Sequence, residues 1–315
     1  MIRKAIIFGI KGKKLTLNEK RFFSKFKPWG IILFSRNIKN LEHLKKLTQN
    51  IKKIFNDKNY PILIDEEGGK VSRLSKIIDF SVFSNEYFSQ LYKKNKKLFF
   101  ITYNIYTNIV CELFRDVGIN INTIPVLDVR RKNSHKIIGN RSFSNDPKLV
   151  SVLGNICINS FLQHKIATVM KHIPGHGLSN SDSHNRTPII NNNTNELINK
   201  DFKTFKKCNS LFAMTAHIIY TKYDSKNTAT HSPTIIKKII RNHINFKGIL
   251  ISDDISMKAL KYNITENASR ALKAGCNLVL HCNGNYNEMI KVAENSPLIS
   301  SFILKKTSNL INIVR

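Results

Sequence analysis

Eight short apolar runs recur along the chain with little polar alternation, at residues 4–9, 30–34, 61–65, 119–124, 166–172, 211–217, 248–253 and 277–282. A strand with one wet face alternates apolar and polar residues. A run that is apolar at both parities suits a strand covered on both faces, as in a parallel sheet. Parallel neighbours need crossover connections, and amphipathic stretches lie between the runs. Residues 41–55 set Leu41, Leu44, Leu47, Ile51 and Ile54 on one stripe; 97–117 is a longer amphipathic segment, and 265–274 a shorter one that ends at Gly275. Strand–helix alternation repeated eight times predicts an α/β fold, a single (β/α)8 barrel of the TIM type. An open doubly wound sheet is the competitor, but no GxGxxG follows an early strand. No repeat or linker divides the sequence, so one domain over residues 1–315 is expected. The Asn-rich stretch 190–199 reads as a loop entering a helix. The pairs Phe22–Phe23 and Phe99–Phe100 read as core.

Composition bounds the partners. A formal charge of +30, from 51 basic and 21 acidic residues, invites a polyanion reading. The lysines, however, are spread along the whole chain among Asn and Ile, with no nucleic-acid-binding motif, and read as solvated faces. No nucleic-acid partner is expected. The five cysteines are odd in number and form no CxxC pair, so they read as small buried apolar residues in a reducing compartment. The apolar run near the N-terminus is too short for a signal-peptide core, and no stretch approaches the roughly 18 apolar residues of a membrane span. The expectation is a cytoplasmic monomer with no membrane insertion, no cofactor and no metal.

In such a barrel, catalytic groups come from the C-terminal ends of the strands and the loops that follow. Reading those ends in order gives Ser35–Arg36–Asn37, then Asp65–Glu66–Glu67, Pro125 with Asp128, Lys171–His172 followed by His176, then His217, then Asp253–Asp254. Ionisable groups therefore collect at one mouth. Asp253 ends a buried strand, and a carboxylate so immobilised suits nucleophilic attack on an anomeric carbon. The loop 175–188 supplies Asp182-x-His184, in which the carboxylate can hold one ring nitrogen and leave the other to carry a transferred proton. Asp254 reads as loop support and His176 as a residue that orders the loop.

The segments GIILFSRN (30–37), IDEEGGKVSRL (64–74), PVLDV (125–129), IGNRSFSNDP (138–147), KHIPGHG…DSH (171–184), MTAH (214–217), ISDDISMKAL (251–260) and AGCNLVLHCN (274–283) occur in this order over most of the chain. In them the sequence resembles the bacterial β-N-acetylhexosaminidases of glycoside hydrolase family 3, the peptidoglycan-recycling type. The resemblance implies Asp253 as nucleophile, His184 as acid/base and Asp182 as its dyad partner. It also implies that Asp65, Arg73, Arg141, Lys171 and His172 hold the sugar. The implied activity is release of terminal GlcNAc, with retention of configuration, from cytoplasmic muropeptides in which GlcNAc is joined to anhydro-N-acetylmuramic acid. Two departures stand outside the implied catalytic positions: Lys70 where Arg is usual, and Asn277 where Asp is common. No C-terminal sandwich domain like that of the family's β-glucosidases is expected.

Four alternatives stay open at this point. One is a metal-dependent hydrolase built on His172, His176, Asp182, His184, His217 and Asp253. Another is attack by the substrate's own acetamido group, assisted by the Asp253–Asp254 pair. The third is a phosphorylase on the same scaffold, and the fourth a non-enzymatic polyanion binder.

Overall fold

The computed structural model describes residues 2–131, 138–179, 183 and 186–314. Ten strands appear in it: β1 (Lys4–Gly9), β2 (Pro28–Leu33), β3 (Ile62–Ile64), β4 (Ile121–Asn122), β5 (Ala167–Ile173), β6 (Ile189–Ile190), β7 (Phe212–Thr215), β8 (Ile219–Tyr220), β9 (Ile249–Asp254) and β10 (Leu278–His281). Eight of them close a wholly parallel barrel in the order β1-β10-β9-β7-β5-β4-β3-β2, and β6 and β8 form a separate parallel pair. The (β/α)8 expectation therefore holds. Each barrel strand overlaps one of the eight apolar runs. The edges differ: β2 begins two residues before the predicted run, and β4 keeps only two residues of its six.

The crossover helices follow their stripes. Helix Leu41–Phe55 covers the predicted range, capped by the Asn40 side chain on the His43 N–H. Helix Lys96–Val117 ends where Gly118 turns left-handed at φ 78°, a conformation glycine adopts at little cost. Helix Ile264–Ala274 ends likewise at Gly275. Two layers of core result. One lies between sheet and helices and takes Ile6, Phe8, Ile62, Ile64 and Leu250. The other fills the barrel and takes Ala5, Ile7, Leu63, Ile121, Ala167, Val169, Phe212, Met214, Ile249, Ile251, Leu278 and Leu280. Helix Ser301–Val314 adds Ile303 and Leu310 to this inner cluster, and Trp29 donates to Thr307 at 2.9 Å, so the helix stoppers the end away from the mouth. Phe22, Phe23 and Phe99 are core as expected, but Phe100 is 44% exposed: it follows Phe99 by one position, and that step carries a helical side chain to the solvent face. Among the described residues no helix is long and apolar enough to cross a membrane.

Candidate active site

Side chains along a strand alternate between its two faces, so the inner-core positions can be extended toward the mouth two residues at a time. On β9 the series Ile249, Ile251 continues to Asp253. From Leu63 on β3 it continues to Asp65, from Val169 on β5 to Lys171, from Ile121 on β4 to Thr123, and from Leu280 on β10 to Cys282. All five lie in the lining of one cavity of about 540 Å³ at the barrel mouth, with Phe34, Arg73, Arg141, His172, Met214 and Met257 also in its wall. The floor is apolar and the rim is charged. His172 has the other parity, yet it lines the cavity too, at the point where the pairing of β5 with β7 shifts register. The Lys171–His172 bond is cis there.

Asp65 sits at the centre of the polar side. Its Oδ1 accepts from Lys171 Nζ and from Thr123 Oγ1 at 2.6 Å, and its Oδ2 accepts from Arg73 Nη2 at 2.7 Å. Burial pushes this carboxyl up, but Lys171 and Arg73 outweigh it and hold the group far below the ordinary carboxylate range. Lys171 is 2% exposed and directs its ammonium at three acceptors, adding Thr123 at 3.1 Å and Glu67 Oε1 at 2.7 Å to Asp65. Glu67 in turn takes a two-pronged bond from Arg141, both N–H···O distances being 2.8 Å. Burial raises Glu67, and Arg141 and Lys171 bring it below its ordinary value; burial lowers Arg141, and Glu67 more than restores it. The result is a desolvated alternation of two carboxylates and three cations along one wall.

Glu66 faces the other way. It accepts from the backbone N–H groups of Arg73 at 2.6 Å, Leu74 at 2.9 Å and Gly68 at 3.3 Å, and so gathers the segment that delivers Arg73. Asp128 receives the His172 ring at 2.7 Å through Nδ1, and the His176 backbone N–H at 2.7 Å. With Nδ1 engaged there, His172 keeps Nε2 for a ligand in the cavity. The guanidinium carbons of Arg36 and Arg73 lie 4.7 and 5.5 Å from the centroid of Phe34.

Opposite this wall stands Asp253. Its Oδ1 accepts the Asp254 N–H at 2.8 Å. Burial pushes the carboxyl up, but His217, His172 and the Asp254 N–H bring it below the ordinary value, so it is ionised at neutral pH. His217, one of the alternative metal ligands, spends both ring nitrogens on Thr230 Oγ1 (2.7 Å) and the Asp254 carbonyl (2.9 Å). Asp254 binds Ser256 through both carboxylate oxygens and accepts the Cys282 N–H at 3.1 Å, which makes it the loop support the sequence led us to expect. His176 reaches Ser183 at 3.3 Å and so ties the loop. Among the described residues, no group of three or more His, Cys, Asp or Glu side chains is arranged to hold a metal ion.

The cavity thus gathers Asp253, Asp65, Arg73, Arg141, Lys171 and His172. Asp182 and His184 lie outside the described residues. Sequence reasoning gave no role to Glu67, Thr123, Phe34 or Asp128. Thr123, Phe34 and Asp128 had a signal, since strand parity or a strand end points to them. Glu67 stands in the strand-end run Asp65–Glu66–Glu67, but nothing local pairs it with Arg141, which lies 74 residues away.

A description of the N-terminal domain of glycosyl hydrolase family 3 matches residues 11–313. The chain belongs to glycoside hydrolase family 3. It is a glycoside hydrolase by that membership, and the mouth cavity is its candidate active site. A beta-hexosaminidase of Haemophilus influenzae is 32% identical over 305 residues, 93% of this chain and 85% of that protein. The fold matches NagZ from Neisseria gonorrhoeae, solved in complex with N-trifluoroacetyl-D-glucosamine, at a TM-score of 0.87 and 27% identity, covering 98% of this chain and 90% of that one. A family 3 beta-N-acetylglucosaminidase from Paenibacillus matches at a TM-score of 0.83 and 24% identity; this chain covers 60% of it, and the likeness concerns the barrel.

Proposed function

We propose that the chain is a retaining β-N-acetylglucosaminidase in which Asp253 is the nucleophile, His184 the general acid/base and Asp182 the group that orients and stabilises its imidazolium. The observation that carries this reading is the convergence of Asp253 with Asp65, Arg141 and Lys171 on one cavity. The Asp253 carboxylate attacks the anomeric carbon as the bond to the leaving oxygen breaks, and that oxygen takes a proton from His184. Water then attacks the glycosyl–Asp253 ester, giving its proton to the neutral His184 and releasing the free carboxylate. Asp65 is placed to accept from sugar hydroxyls, with Arg73, Arg141 and Lys171 as donors beside it and His172 Nε2 as a further contact. The relatives called beta-hexosaminidase, and the gonococcal enzyme's N-acylated glucosamine ligand, favour an N-acetylhexosamine in this cavity. By the same analogy the physiological substrate is a GlcNAc-bearing muropeptide cleaved in the cytoplasm during peptidoglycan recycling.

Assistance by the substrate's acetamido group needs a carboxylate free to orient it. Asp254 is held by Ser256 and Cys282, which disfavours that route. The test is to trap the enzyme with a 2-deoxy-2-fluoro glycoside or a 5-fluoro analogue of GlcNAc and map the adduct. Labelling of Asp253 is expected; an unlabelled enzyme that releases an oxazoline would overturn the mechanism. The same assay run with and without inorganic phosphate reads phosphorolysis, and hydrolysis that is indifferent to phosphate is expected.

A further inference from the structure

Helix Lys96–Val117 buries Phe99, Tyr103, Tyr106, Thr107, Val110, Cys111, Phe114 and Val117 against the barrel. At about 100° per residue, its opposite face should be polar. Instead it carries Leu98, Ile101, Ile105 and Ile109, exposed by 47, 49, 57 and 36%. Their spacings of three, four and four residues place them on one stripe along the outermost line of the helix. Four of the fourteen large apolar side chains exposed among the described residues thus belong to this one stripe.

The start of the stripe is strongly cationic. Residues 93–98 are exposed without interruption, and four of the six are Lys93, Lys94, Lys96 and Lys97. None of these four forms an ion pair among the described residues. An acidic protein would answer the lysines, and a second copy of this chain, itself cationic here, would not. A row of Ile and Leu beside Lys side chains without acidic partners matches a surface that is anionic outside and hydrocarbon a few ångströms within.

We propose that this flank is a docking surface for an anionic phospholipid bilayer, with Leu98, Ile101 and Ile105 entering the headgroup boundary and Lys93, Lys94, Lys96 and Lys97 meeting lipid phosphates. The helix leads directly into β4, so its lysine-bearing start lies toward the barrel mouth. The preceding helix Asn85–Lys94 touches the sugar wall, where Asn85 donates to the Arg141 carbonyl at 2.6 Å. Docking therefore sets the cavity beside the membrane surface.

Flotation of the full chain with vesicles of phosphatidylethanolamine and phosphatidylglycerol tests this, with phosphatidylcholine vesicles as the neutral control. Binding to the anionic vesicles alone is expected. Exchanging the four lysines for glutamine, or making Ile101→Ser with Ile105→Ser, should weaken it by about tenfold or more. Lys237→Gln with Lys238→Gln, exposed lysines on another helix, should leave it unchanged. Turnover of a soluble aryl GlcNAc glycoside should stay the same in every variant, which shows that each one folds. The proposal is overturned if the chain ignores anionic vesicles. It is overturned as well if the Lys237/Lys238 variant loses binding equally, which would make the effect one of net charge. Self-association abolished by the Ile101/Ile105 exchange would assign the stripe to a second copy instead.

Discussion

Replacing Asp253 with Asn removes one negative charge and little volume, which makes it the cleanest probe of the proposed nucleophile. Turnover of an aryl GlcNAc substrate should fall by roughly 10⁴-fold or more, while calorimetric binding of GlcNAc and the melting temperature stay close to the parent. A polyanion binder would be indifferent to the change. Lys171 is a different kind of residue, because its ammonium neutralises Asp65 and Glu67 where water cannot. Lys171→Met keeps the length and strands buried carboxylate charge, so it should cost about 3–5 kcal/mol in denaturant unfolding as well as sugar affinity. Glu67→Gln separates holding from touching. Arg141 would lose a charged, two-pronged anchor, and the expected result is a raised KM with the Asp253-labelling step intact. A fall in kcat at constant KM would contradict a positioning role.

At the scale of elements, the barrel strands act as rulers. Once Ile249 and Ile251 are known to face inward, Asp253 must face inward too, and the same step of two takes Leu63 to Asp65 and Val169 to Lys171. Loops obey no such rule, and the close approaches they make are found only in three dimensions. Gly177 opens the loop that carries Asp182 and His184. A Cβ there would come within 1.9 Å of the Val129 carbonyl oxygen, which is backbone and cannot swing aside. Gly177→Ala should therefore displace the loop, lowering kcat by about 10²-fold while thermal stability changes by only a few degrees. A variant with parental kcat would show that the loop tolerates the shift. The segment that brings in Arg73 is equally local in sequence and non-local in cause, since its N–H groups converge on buried Glu66.

For the molecule as a whole, acid is the informative stress. Burial, then His172, push His176 down to about 4, and burial, then His217, do the same to His231. Each folded-state value lies below the unfolded one, so the unfolded chain binds the extra proton first. Stability is then complete above the unfolded value of about 6.5, declines as the pH falls from there, and levels off near 4. Each group accounts for on the order of 3 kcal/mol over that window. Chemical unfolding measured across it should show the decline, and His231→Gln should flatten it; a variant curve parallel to the parent would assign the loss elsewhere. Asp253 has the opposite sign. Its carboxyl is held below the ordinary carboxylate value by His217, His172 and the Asp254 N–H, so protonation of Asp253 costs stability only at the acid end of that window and beyond it.

Sequence alone determined the barrel and the mouth. Eight doubly apolar runs leave no face to expose, so the strands must lie parallel under helices, and the polar residue that ends each run must emerge at the same rim. Strand parity, a property of the chain, also carries Asp65, Lys171 and Asp253 to the cavity, whereas Arg73, Arg141 and His172 were marked only by the family resemblance. What only tertiary structure decided is which charges meet: Glu67 under Arg141 and Lys171, Asp128 behind His172, Asp254 tied to Ser256 at the edge of the cavity. These pairings depend on where separate loops come to rest over a common, dry cavity. Desolvation there makes each unpaired charge costly, so the folded arrangement rather than the local sequence selects the partners.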